Sequence, residues 1–165
     1  LWAQVQRHRQ DGAAGGLDLA TLDATQKSLR RQLHECIQKV GDDYGRRHSF
    51  NTAIAAVMEF LNHLSKFDDA TPNGRALRQE SLEAVVLLLN PITPHASHAL
   101  WQALGHGETL IENLPFPVVD AAALVRDIGA PNTFHQTRIL NEREQVLRVF
   151  AIAPAPDGEP RYALS

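Results

Sequence analysis

Apolar residues recur along most of this chain at steps of three and four, the spacing of one face of an α-helix. Leu1, Trp2 and Val5 fall on one side of a first helical segment over residues 1–9. The small, flexible run Asp-Gly-Ala-Ala-Gly-Gly at 11–16 then breaks the pattern. A second stripe comprises Leu29, Leu33, Cys36, Ile37, Val40 and Tyr44, with Asp23 or Thr25 placed to cap its start. A third helix begins at Ser49, and its stripe of Phe50, Ile54, Val57, Leu61 and Leu64 predicts one buried face. The run Asp-Asp-Ala-Thr-Pro-Asn-Gly at 68–74 interrupts it, and a further helix is expected from Arg75 to Leu89. Its last six residues are apolar all round, which requires neighbours on several sides.

Pro91 stops that helix, because its ring clashes with the preceding turn and it offers no N–H. Thr93 is a natural N-cap, and Pro94 sits at the first helical position, where a missing N–H costs nothing. Gly105 suits a helix end, so residues 94–104 are expected to form a short helix with Leu100, Trp101 and Leu104 inward. An extended crossing at 112–120 follows, then a brief helix over 121–127 capped by Asp120. The expected fold is all-α, an antiparallel bundle of four to five helices over residues 1–127. Residues 128–165 form an atypical, irregular tail, with either a helix or a strand near Val146–Ile152. The prolines at 154, 156 and 160 make its last dozen residues a loose, partly disordered end.

Composition narrows the function. The 165 residues are 44% hydrophobic and 21% charged, with a net charge of -3, so the chain as a whole is no polycation and any nucleic-acid contact must be local. One cysteine, Cys36, rules out an internal disulfide, and its place on an apolar stripe favours an inert thiol. No apolar run approaches the ~20 residues that span a bilayer. The missing initiator methionine, and a start in the middle of an amphipathic pattern, suggest a piece of a longer chain.

Candidate chemistry is sparse. His95 and His98 are spaced i, i+3 and could share a metal, but no carboxylate accompanies them within two turns upstream, so the stretch reads as architecture. There is no glycine-rich phosphate loop and no nucleophile elbow. The remaining feature is basic. Residues 26–48 hold Lys27, Arg30, Arg31, Lys39, Arg46 and Arg47 against three acids. At ~100° per residue, Lys27, Arg31, His34 and Gln38 lie close together, and the apolar stripe points roughly 130° away. Such a ridge could follow phosphates, since guanidinium forks match phosphate oxygens; the alternative is a merely solvated helix face.

Two stretches carry a resemblance. Residues 42–66, with Phe50-Asn51-Thr52-Ala53-Ile54, and residues 87–105, with Pro91 to His95, Leu100-Trp101 and Leu104-Gly105, resemble the anticodon-binding helical domain of bacterial leucyl-tRNA synthetase. The resemblance covers about residues 1–127. Synthetases for isoleucine, valine and methionine share the bundle, but this wording is closest to the leucine enzyme. The resemblance implies a tRNA-docking module, a class I synthetase bundle that grips the RNA backbone, with tRNA(Leu) and the remaining synthetase domains as partners. It also implies a cytoplasmic, monomeric parent that leucylates tRNA using ATP with Mg. Catalytic residues are expected in neither this chain nor its His-Leu-Ser-Lys at 63–66, which is not the family's KMSKS loop, and no metal or cofactor site is expected here. Lys27, Arg30, Arg31, Arg46 and Arg47 are the expected RNA contacts, with His34, Lys39 and Asn51 as weaker ones. After Asp127 the family's "VNGK"-like segment is not found, so no residue of that region is carried over. Two other classes compete: a stand-alone helical module that binds protein through an apolar groove, and a small metal enzyme using His95 and His98.

Overall fold

A computed structural model describes residues 1–125, apart from Ala13 and Glu108, and the backbone of three strands within 136–164. The chain divides into two compact units, Leu1–Val125 and Arg126–Ser165. The first holds helices α1 (Trp2–Gln10), α2 (Ala24–Asp42), α3 (Phe50–Lys66), α4 (Pro72–Leu89) and α5 (Pro94–Trp101). α2 runs on into a π-helical turn, Asp43–Arg47, and α5 into another, Gln102–His106.

Side-chain pairs fix how the helices run. Gln4 donates to the Leu61 carbonyl, while His8 meets Gln79, so α1 packs on both α3 and α4. Gln26 reaches Thr71, Arg30 reaches Glu80 and Tyr44 reaches Leu88, so α2 and α4 run in the same sense. The result is the expected antiparallel bundle. Its core includes Val5, Leu33, Val40, Val57, Leu64, Leu77, Leu82, Val85 and Leu88, all at 2% exposure or less. Each such Val or Leu contributes roughly 1.5–3 kcal/mol by leaving water. Of the apolar end of α4, Ala84, Val85, Val86 and Leu88 are buried while Leu87 and Leu89 are partly so, and Leu100, Trp101 and Leu104 face inward from α5 and its extension.

Helix starts follow local chemistry. Asp23 caps α2 through the Gln26 N–H at 2.8 Å, and Gln26 returns its Oε1 to the Asp23 N–H at 3.1 Å, a reciprocal box. Gln26 is itself buried and donates to Asp69 at 2.7 Å, tying the start of α2 to that of α4. α4 starts three residues earlier than the spacing suggests. Thr71 accepts from the Gly74 N–H at 3.0 Å and Pro72 occupies the first turn, the same Thr-Pro signature that opens α5. At α5, however, the Thr93 hydroxyl donates back to the Leu89 carbonyl rather than capping forward. Gly105, at φ 102, ends the α5 extension as expected.

Two expectations are corrected in this unit. Phe50 is half exposed, not buried; the inward face of α3 runs through Ala53, Ala56, Val57, Phe60, Leu61 and Leu64. Residues 121–124 form turns beginning at Asp120 rather than a helix, held by the Ala123 N–H to Asp120 carbonyl bond at 3.1 Å; Arg126 and Asp127 lie outside the described residues.

The second unit corrects the irregular tail. It carries β1 (Gln136–Leu140), β2 (Val146–Ile152) and β3 (Arg161–Leu164) in one antiparallel sheet of order β1-β2-β3. Gln136 lies opposite Phe150 and Leu140 opposite Val146, while Ile152 lies opposite Arg161. The β-branched Ile139, Val146, Val149 and Ile152 favour extended backbone, which decides the helix-or-strand question at 146–152. Of the loose end expected over the last dozen residues, Arg161–Leu164 are instead β3, and 154–160 and 165 fall outside the described residues.

Candidate nucleic-acid interface

The basic residues of α2 do not form one continuous ridge. Arg30 is turned into the bundle, its side chain 12% exposed. Its Nε and Nη2 donate to Glu80 at 3.2–3.3 Å, and its Nη1 donates to Asp120 at 2.8 Å. All of that guanidinium fork serves to join α2, α4 and the 112–120 crossing. His34, one turn on, is buried as well. Its Nδ1 accepts from the Asp120 N–H at 3.2 Å, which requires that nitrogen to be unprotonated. Burial, and then the Arg30 charge, push its pKa below the ordinary imidazole value. A neutral, buried imidazole is a poor phosphate ligand. The expected roles of Arg30 and His34 in RNA contact therefore give way to a structural one, because the Arg30 fork and the His34 Nδ1 are engaged by groups of this chain and the His34 ring is buried.

Arg31 is half-buried and lies 3.8 Å from Glu35 along the same helix, while Lys27 is exposed near the start of α2. Three further cations gather at the other end of α2. Lys39 approaches Asp43 at 3.2 Å, Arg47 approaches the same carboxylate at 3.8 Å, and Arg46 pairs with Asp42 at 2.8 Å. Arg46 and Arg47 keep 72% and 66% of their side-chain surface in water. The Arg46–Asp42 pair, exposed on both sides, is worth only about 0–1 kcal/mol, so a phosphate could replace that carboxylate at small cost. Asp43 is the fixed point. It is buried, and the Thr52 hydroxyl, then Lys39 and Arg47, hold its carboxyl below the usual range. The π-helical turn makes this cluster possible, since it carries Arg46 and Arg47 past the end of α2 before His48 reverses the chain in a left-handed conformation, φ 51. Asn51 is exposed in the first turn of α3, beside the same corner.

Three aromatic rings, which the spacing of apolar residues did not single out as a group, adjoin these cations. Tyr44 lies 5.4 Å from Phe50 and 6.1 Å from Phe116 between ring centres. The Tyr44 hydroxyl donates to the Leu88 carbonyl at 3.0 Å. A clue lay in the sequence: Phe50, like Trp2 of α1, stands at the first position of a helix, where a side chain has no preceding turn to pack on.

The histidines of the α5 region serve elsewhere. His95 is exposed, and His98 lies 3.2 Å from Gln102. Among the described residues no group of three His, Cys, Asp or Glu side chains converges as a metal would need. A buried polar chain went unrecognised at the sequence level. His8 meets Gln79 at 2.6 Å, Gln79 donates to Glu83 at 2.6 Å, and His106 meets Glu83 at 2.7 Å while stacking on Trp101 at 4.0 Å. It ties α1, α4 and the α5 extension together. Cys36 is buried and its pKa is pushed up to about 12, chiefly by that burial, so the thiol is inert.

Comparison with known proteins bears on this corner. The profile described as the anticodon-binding domain of tRNA ligase matches residues 26–152. The leucine–tRNA ligase of Stenotrophomonas maltophilia (strain R551-3) is 75% identical over 127 residues, 77% of this chain and 14% of that protein. The leucine–tRNA ligase of Xanthomonas campestris pv. campestris (strain 8004) is 73% identical over the same shares. The chain thus spans about a seventh of the length of these relatives. Among solved structures, a ternary complex of Agrobacterium radiobacter K84 agnB2 LeuRS with tRNA and LeuAMS matches 99% of this chain and 18% of that one. The TM-score is 0.60 and the identity 26%.

Proposed function

Because this chain belongs to the anticodon-binding domain family of tRNA ligases, we propose that it is the tRNA-docking bundle of a leucine–tRNA ligase. It holds the RNA by its phosphate backbone and takes no part in bond making. The observation that carries this reading is the cationic corner at the end of α2, where Lys39, Arg46 and Arg47 present their charged heads to water. Guanidinium groups so placed can exchange a weak carboxylate partner for phosphate oxygens and release the counterions condensed on RNA. Lys27, Arg31 and Asn51 extend the contact along α2 and α3, while Arg30 and His34 keep the scaffold in shape. The parent enzyme activates leucine with ATP and Mg in a separate catalytic domain, in the cytoplasm and as a monomer. The module's partners are tRNA(Leu) and the rest of that enzyme. The relatives' shared activity and the tRNA in the agnB2 LeuRS complex support this assignment. No described helix is long and apolar enough to cross a membrane.

The test is a titration of tRNA against the 165-residue chain over a range of salt. Binding should weaken by roughly 0.7–0.9 log units per phosphate contact per decade of salt. The Arg46→Glu/Arg47→Glu double variant should bind more weakly and lower that slope by about one to two contacts. Binding that ignores both salt and charge reversal would overturn the reading.

A further inference from the structure

The three rings beside the cationic corner are arranged in series. Phe116 packs edge-on against Tyr44, with its ring edge 3.9 Å from where a side-chain carbon would sit on Gly41. Tyr44 in turn braces Phe50, and cannot swing away without breaking its hydrogen bond to Leu88. Phe50 is the outermost of the three, 50% exposed at the first position of α3. An isolated exposed phenylalanine is ordinary, but one braced from behind and following two water-facing arginines closely in the chain can serve as a platform. Arg46 and Arg47 precede it by only four and three residues, and His48 and Asn51 complete the rim.

We propose that Phe50 is a stacking site for one unpaired base of the docked RNA, with Arg46 and Arg47 holding the phosphates on either side of that nucleotide. The proposal rests on the tRNA-docking reading and adds to it a contact to a base. The occupant follows from chemistry. A base in a helix hides both faces in its own stack, whereas an unpaired one offers a face to an aromatic ring. The flanking phosphates require cations at short range, which the corner supplies. A protein segment seeking the same phenyl ring would have to strip water from those guanidinium groups without meeting an anion.

Two RNA hairpins with identical stems test this, one carrying a single bulged 2-aminopurine and the other fully paired. The 165-residue chain should bind the bulged hairpin about tenfold more tightly, with quenching of the 2-aminopurine emission. Phe50→Ala should abolish both the preference and the quenching, and Phe50→Tyr should retain them. Should the alanine variant fail to fold, Phe50→Leu decides, because it keeps an apolar side chain but has no aromatic face. A preference that survives in Phe50→Leu overturns the proposal. Equal, salt-sensitive binding of both hairpins overturns base stacking and leaves phosphate docking intact. Absence of binding to either hairpin and to whole tRNA at low salt overturns both.

Discussion

Single residues of one type do different work here, and burial decides which. Arg30 and Arg46 both read as basic positions on or beyond one helix, yet one is a rivet and the other a water-facing head on a surface pair. Arg30→Ala strips Glu80 and Asp120 of their shared donor, and Asp120 also stands to lose its hold on His34. The expected cost is roughly 1–3 kcal/mol, seen as a lower melting temperature, with tRNA affinity in the still-folded protein little changed. An Arg30→Ala variant that melts like the parent but binds tRNA poorly would reverse that assignment. The distinction was only half legible in the sequence. Helical spacing placed Arg30 on the flank of the polar line, but the carboxylates that claim it come from residues 50 and 90 positions away. No local pattern announces a partner at that separation. Phe50 is the mirror case: spacing put it on the apolar stripe, and only the path of the π-helical turn leaves it outside.

At the scale of elements, the ends of helices carry more information than their middles. The stripe in α2 was plain, but the box between Asp23 and Gln26 also reaches across to Asp69, so two helix starts are fastened by one side chain. Asp69 accepts from the Thr71 N–H at 2.8 Å and leans over Gly74; a methyl group there would meet the Asp69 carboxyl carbon at 2.2 Å. Alanine normally improves a helical glycine by about 1 kcal/mol. Gly74→Ala should instead destabilise, because it evicts Asp69 from both of its hydrogen bonds, and thermal melts of Gly74→Ala and the parent will give the sign. A stabilised variant would mean that Asp69 moves aside freely. Reading Thr-Pro as a helix opening at 93–94 but as a turn at 71–72 was an error of context. Gly74 and Asn73 resemble turn residues, and the hydrogen bonds of Asn73 to Asp18 and Thr21 lie beyond local sequence.

For the whole molecule, acid should unfold the bundle in two stages. His34 has a depressed pKa in the folded state, from burial first and Arg30 second. On acidification the unfolded chain therefore takes up this proton first. Stability is complete above the ordinary imidazole value near ~6.5 and declines as pH falls from there to the lowered folded value. Asp120, held down by Arg30 and then the Ala122 N–H, and Asp43, held down first by Thr52, are carboxylates of depressed pKa. Asp69 joins them, its bonds from Gln26 and Thr71 outweighing the opposing effect of burial. Their contribution is present above the usual carboxylate value near ~3.9 and is lost as pH falls through the folded values. Melting temperatures from pH 8 to pH 3 should show a shallow loss beginning near neutrality and a steeper one in acid, and His34→Gln should remove the first. A curve flat between pH 7 and pH 5 would mean that His34 is not held neutral. The bundle itself was legible because three long amphipathic helices with short links leave few other ways to bury their faces. The sheet of the second unit was not, because its strands are short and the run Val146–Ile152 has no strict apolar–polar alternation to set against a helical period.

Tyr44 has a double occupation with a kinetic meaning. Its ring braces Phe50, and its hydroxyl closes the Leu88 carbonyl, one of the acceptors that the end of α4 cannot satisfy from within. The aromatic corner therefore cannot open without fraying the helix that launches α5 through the turn at Ile92 and Thr93. The two regions should open and close as a single local unfolding unit, and whatever steadies the rings from outside will slow that breathing several residues away.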